Sequence, residues 1–244
     1  MTESPEPAIA RERVRALLRE HRETLGLSAA ELERLPHAWP GDWWARHGLT
    51  DEHHTYLLGE ARATGITVYQ SMLIPGLLQT PRYARAATAA VLRTAEDDPG
   101  VTVRVGVRAD RLSTIQARTA AGDAPMITAI VDEVVLRRAV GGAGVLREQL
   151  DHLVEVAGHP HVTLVVLPTT LGGHAGLGGV FELLEFGADP GPALVFIESA
   201  AADHIVRDAA AVTRYREIAA ELARVGSSGA EAVDFVRSVR SGLE

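Results

Sequence analysis

The chain of 244 residues contains no cysteine, so neither a disulfide framework nor thiolate chemistry is open to it. It also has no lysine and no asparagine: all 24 basic residues are arginine, a bias read here as GC-rich codon usage rather than design for phosphate binding. Aromatic residues make up 5%. No window approaches the roughly eighteen uninterrupted apolar residues of a membrane span. The opening "MTESPEPAIA" lacks the basic flank and apolar core of a signal peptide, and a cytoplasmic location is the expectation that follows. Positive charge is in short supply, with a net charge of −8. Affinity for duplex DNA rests largely on Lys and Arg displacing counterions, so such a balance leaves only a local basic patch to serve that purpose.

What remains is an ordinary globular composition, 46% apolar and 23% charged. Residues 1–9 read as a disordered tail and residues 10–48 as an N-terminal helical appendage. "RVRALLREHRETLGLSAAELERL" begins like a helix-turn-helix: Val14, Leu17, Leu18 and Leu25 share one side, and Ser28 with Glu31 forms a capping box. A DNA reader needs its recognition helix next. Pro36 intervenes instead, and residues 36–48 carry no amide side chain and a single arginine, Arg46, for reading bases. The piece is therefore a remnant or a pair of linker helices, not a complete reader.

Residues 49–244 read as one α/β or α+β domain, a mixed β-sheet flanked by helices. A helix over 51–64 leads into the strand "ITVYQSMLI", with Ile66, Val68, Met72 and Ile74 as its apolar set. Thr80 caps a helix that carries Pro81 at its first position. Residues 101–118 form a helix with Val101, Val105, Leu112 and Ile115 on one side. Arg104, Arg108, Arg111 and Arg118 are interleaved as a solvated or partner-contacting face. "PMITAIVDE" and "HVTLVVLP" are buried strands, with the amphipathic helix "GVLREQLDHLVEVAGH" between them. Strands "GGVFELLEF" and "ALVFIES", a short strand "ADHIVRD" and helices over 209–226 and 229–241 complete the chain.

Together, "YQSMLIPGLLQTPRYARA", "IVDEVVLRRAVGG", "LREQLDHLVEVAGHPHVTLVVLPTTLGGHAGLGGVFELLEF" and "VFIES" resemble the C-terminal domain of actinobacterial WhiJ-type, antitoxin-like regulators, a domain of unknown function numbered 5753. The resemblance covers roughly residues 40–240. It implies a regulatory sensor domain that binds a signal molecule or a small acidic partner protein. Members of that family usually carry a complete Xre-type helix-turn-helix before the domain, and this chain departs from that pattern there. It departs again at "RADR" (Arg108 to Arg111), where the family tends to show Arg-Gln.

Several residues are candidates for a site. "GGHAGLGG" is a Gly-rich loop after a buried strand, where open α/β sheets bind ligands, and it presents Gly172, Gly173 and His174. It is neither a P-loop nor a dinucleotide fingerprint. Asp132 ends a strand and reads as the cap of the following helix. Glu133 and Glu198 close two buried strands, and with His174 they make a candidate acid–base pocket. Gln79 and Arg108 complete the candidate ligand set. Trp39, Trp43 and Trp44 are candidate partner anchors or the docking point of the N-terminal helices. His53-His54 and the His159/His161 pair lack zinc-motif spacing, so no metal and no cofactor is expected. Three functions stay open: a sensor of ligand or partner that has lost direct DNA reading, a biosynthetic enzyme reusing the sensor fold through Glu133, His174 and Glu198, and a DNA-binding regulator with a diverged N-terminus. A homodimer is compatible with each.

Overall fold

The computed structural model describes residues 50–187, 191–199 and 201–243. The readings of residues 1–9 and 10–48, and of Trp39, Trp43 and Trp44, fall outside them.

Among the described residues the chain forms seven strands and seven α-helices. Helix α1 (Asp51–Glu60) precedes β1 (Gly65–Gln70). A 3-10 turn (Gly76–Leu78), α2 (Pro81–Leu92) and α3 (Pro99–Ala120) connect β1 to β2 (Met126–Asp132). Helices α4 (Glu133–Arg137) and α5 (Ala143–Val156) lead to β3 (Val162–Leu167). Two 3-10 turns (Thr169–Leu171 and Ala175–Gly178) reach β4 (Phe181–Glu185), then β5 (Ala193–Ile197) and β6 (His204–Val206). Helix α6 (Ala209–Val225), β7 (Ser227–Ser228) and α7 (Ala230–Ser241) follow.

The strands join in one mixed sheet of order β6-β5-β4-β1-β2-β3-β7. β1, β2 and β3 run parallel, and every other pairing is antiparallel. The chain winds outward from β1 to β3, then returns to lay β4 on the other side of β1. That reversal makes the C-terminal edge of β1 a topological switch point, the usual ligand crevice of such sheets.

Local chemistry explains where the helices begin. Thr80 accepts from the Tyr83 amide at 3.3 Å with Pro81 behind it, as expected. Asp98 and Asp208 cap α3 and α6 in the same way. Register assigns the two sheet faces. Ile66 and Val68 lie beside Ile127 and Ala129 on β2 and Leu184 and Glu182 on β4. On the β2–β3 half this face packs against Leu146, Leu150 and Leu153 of α5 and Val236 and Val239 of α7. On the β4–β5 half it packs against Tyr56 and Leu57 of α1 and Val107 and Ile115 of α3. The opposite face, with Tyr69, Ile130, Val165 and Leu183, packs against Val212, Ala219 and Leu222 of α6.

Three expectations need correction. The first helix stops at Glu60, four residues early, because Ala61 already closes it and Thr64 bonds to the Glu185 carbonyl. β1 ends at Gln70, so Met72 points outward with 54% of its surface exposed, while Ile74 is buried beyond the strand. On α3 the fully buried positions are Val101, Val107, Arg111 and Ile115, while Val105 and Leu112 are only half-buried. The Arg-rich side is thus not simply solvated. Arg111 enters the core, and Arg118 donates to the Ala63 carbonyl at 2.8 Å, closing the loop after α1.

Candidate functional site

Two polar clusters stand on this sheet. The first lies along the C-terminal edge of the parallel strands. Asp132 caps α4 by accepting from the Val134 amide at 3.1 Å, as its position in the sequence implied. Its other oxygen lies 3.6 Å from Nε2 of His174. Nδ1 of His174 accepts from the Gly176 amide at 3.2 Å, which leaves the neutral ring's proton on Nε2, facing Asp132. The His174 side chain is 5% exposed. Glu133, also buried, accepts from the Thr169 amide and hydroxyl at 2.8 and 2.9 Å and from Arg137 at 2.6 Å. The Thr169 amide, ahead of Arg137, holds the Glu133 carboxyl below the usual carboxylate range.

The turn that carries His174 sits directly on β1. A Cβ on Gly176 would fall 2.6 Å from the Tyr69 ring, so only glycine allows this approach. Burial, followed by the charge of Asp132, raises the Tyr69 hydroxyl above its ordinary value. Around this packed floor the edge is open. Gly172 and Gly173 are exposed, with nothing within 4 Å of the Cβ position of either. Leu177 is 70% exposed, and Met72 just past β1 and Val134 just past β2 are 54% and 38% exposed. Three large apolar side chains therefore rim one edge of the sheet.

The second cluster is buried between α1, α3 and the β4–β5 half. Arg111 meets Glu60 with Nε at 2.8 Å and Nη2 at 2.5 Å, and Nη2 also reaches the Tyr56 hydroxyl. Tyr56 Oη lies 2.7 Å from Glu60 Oε2 and 2.6 Å from Glu182 Oε2. The Tyr56 ring stacks on Phe196 with centroids 4.3 Å apart. Burial pushes the Glu182 carboxyl up to about 7, against the pull of Arg111.

The residues expected to form one pocket divide between these clusters. Glu133 and His174 share the edge, linked through Asp132 and Thr169. Glu198 does not join them. It is exposed just beyond β5, and β4 and β1 lie between β5 and β2. Three strand spacings, about 14 Å, separate β5 from β2. The field of Glu198 is felt instead by Arg108 and Glu182. Arg108 donates to Thr88 at 3.1 Å and to the Arg104 carbonyl at 3.3 Å. Burial, then Arg111, holds its guanidinium below its ordinary value. Gln79 is buried and donates to the Ile74 carbonyl at 2.7 Å, a bond that shapes the turn before α2. A separate open groove of about 230 Å³ lies between α1 and β6, lined by Asp51, Glu52, Thr55, Asp203, His204, Ile205 and Arg207. It contains none of the expected residues.

Sequence reasoning passed over Tyr56, Glu60, Tyr69 and Glu182, and it read Arg111 as part of a solvated or partner-contacting face. One signal was available: Val107, Arg111 and Ile115 follow one another at i, i+4, which places the arginine on the apolar stripe. Glu182 gave none. Among the described residues no group of three or more His, Asp or Glu is arranged to hold a metal ion, and no helix is long and apolar enough to cross a membrane.

A family model described as "Domain of unknown function (DUF5753)" matches residues 54–238, which include both clusters. No curated protein and no solved structure matches the chain.

Proposed function

The chain belongs to the DUF5753 family, and we propose that it is a regulatory sensor that binds a small ligand or a small partner protein at the C-terminal edge of its parallel strands. The regulator class comes from the antitoxin-like proteins that its sequence resembles. The observation that carries the binding role is the rim of Met72, Val134 and Leu177, exposed at the edge where the strand order reverses. Apolar groups gathered at such a crevice mark association rather than stability. The glycines at 172 and 173 leave room for a ligand to reach the backbone there. The net charge of −8 disfavours direct DNA reading and fits a sensor that has lost it. Trp39, Trp43 and Trp44 are proposed as further partner anchors, in a segment outside the described residues.

A second reading, an acid–base enzyme, draws on His174 and Asp132, whose facing atoms lie 3.6 Å apart and must tighten to hydrogen-bond distance before the carboxylate orients the ring. The histidine is covered, so the turn around Gly176 must move before a substrate touches it.

Native mass spectrometry of the protein isolated from its own host tests both readings. The expected result is a small-protein or small-molecule adduct that the folded Leu177→Asp variant loses. An adduct retained by that variant removes the edge as the binding surface, and a molecule released chemically changed favours the enzyme.

A further inference from the structure

We propose that Glu182 is a proton-binding site: its carboxyl is protonated in the folded protein near neutral pH and donates to Tyr56 Oη, and loss of that proton loosens α1 from the sheet. Tyr56 Oη makes two short oxygen–oxygen contacts, 2.7 Å to Glu60 and 2.6 Å to Glu182. Each contact of that length needs a hydrogen between its oxygens. The phenol has only one to give, and the Arg111 hydrogen pointing at Tyr56 lies on a nitrogen. Glu60 takes two N–H groups of Arg111, which fixes it as the ionised partner and the acceptor of the tyrosine's hydrogen. The hydrogen between Glu182 and Tyr56 then belongs to Glu182.

The surroundings agree. Glu182 lies between Val68 and Phe196 across the sheet, so its strand neighbours are apolar. The charged and titratable groups facing it are Tyr56 and Glu60 from α1, Arg111 from α3 and Glu198 beyond β5. Arg108 adds a cation nearby, coupled to the same Arg111, Tyr56 and Glu198. Arg111 is committed to Glu60 and Tyr56, so a second carboxylate here would stand against Glu60 with no hydrogen-bond donor of its own. Burial accordingly places Glu182 at about 7. Since α1 is the first described element after residues 1–49, a proton lost at Glu182 acts on the helix to which that segment is joined.

The sign follows from linkage. The folded value lies above the unfolded one, so the folded state holds the extra proton between about pH 4.5 and 7. Stability from this group is full below that window and is lost as pH rises through it. Glu182→Gln keeps a neutral donor. Against it, the wild-type folding constant is expected to fall by about tenfold per pH unit across the window, while at pH 8 the α1 amides of the wild type are less protected from exchange than those of the variant. Parallel stability curves for the two proteins from pH 5 to 8 overturn the protonated carboxyl, and equal α1 exchange in both overturns the loosening. Infrared spectra of the wild type stand independent of the variant's folding. A protonated-carboxyl band present at pH 6 and gone by pH 8 is expected, and its absence throughout overturns the proposal.

Discussion

The two polar clusters occupy one sheet and obey different physics. The buried cluster joins residues far apart in the chain: Glu60 to Arg111 across 51 positions, Tyr56 to Glu182 across 126. Its partners are almost all side chains. The edge cluster is more local, with Glu133 reaching Thr169 across 36 positions and Asp132 capping its own helix. There the key acceptors hold backbone amides. The first arrangement fixes how α1 and α3 seat on the sheet. The second sets the shape of loops at an open crevice. Their carboxylates also titrate in opposite senses, Glu182 upward through burial and Glu133 downward through the Thr169 amide. Polar residues in this fold thus serve two separate ends, anchoring and presentation, and each can be broken without the other.

The largest effect is expected from Arg111→Ala. It strands Glu60 as a buried charge beside Glu182 and Tyr56. Breaking one side of such a pair costs about 3–5 kcal/mol. Urea melts would show the loss, and the double change Glu60→Leu with Arg111→Met should recover much of it, since apolar replacements remove both charges together. A double variant no more stable than Arg111→Ala would mean that the cluster is needed for its geometry as well as its charge balance.

The edge cluster should yield less. Glu133→Ala removes a charged acceptor from the amide and hydroxyl of Thr169, which is exposed, so water replaces part of these bonds and the loss is about 1–2 kcal/mol. Arg137 adds little, because its side chain is 57% exposed and its ion pair is screened. The folded value of Glu133 is depressed, so its stabilisation is present above the unfolded carboxyl value of about 4.5 and is lost as pH falls through the lower folded value. Wild type and variant should therefore differ by a constant amount at neutral pH and converge in acid. That is the reverse of the Glu182→Gln comparison, and a gap that widens in acid would contradict it.

Much of this fold is legible in the sequence because its signals are local. Thr80-Pro81 announces α2, Asp132 announces α4, and the apolar stretches Ala129 to Val131 in β2 and Leu164 to Leu167 in β3 mark strands buried on both faces. The buried cluster is far less legible. An arginine on a helix usually faces water, and only the spacing of Arg111 with Val107 and Ile115 says otherwise. Glu182 has no local signal at all, because its partner Tyr56 arrives from a helix at the other end of the domain. The same holds for the expected pocket. Glu133, His174 and Glu198 all follow strands, but strand order is a property of the whole sheet, and it places β4 and β1 between Glu198 and the other two. Met72 erred differently: the alternation ran on past the point where the chain leaves β1.

The smallest change in stability should come from Asp132, and it sharpens the contrast most. One of its oxygens caps α4 and the other faces His174. Asp132→Ala removes both roles and should cost about 1 kcal/mol, the usual value of a cap. Asp132→Asn keeps a capping oxygen but turns a neutral amide toward His174, so it should regain most of that stability. If the carboxylate orients His174, and His174 in turn holds the Gly176 amide, then both variants should free the turn equally. Amide exchange over residues 172–179 is the measurement. Fast exchange in both, with stability lost only in the alanine variant, would show that the charge of Asp132 serves the loop at the crevice while its oxygen serves the helix. Slow exchange in both variants would mean that packing of Gly176 on Tyr69 holds the turn alone.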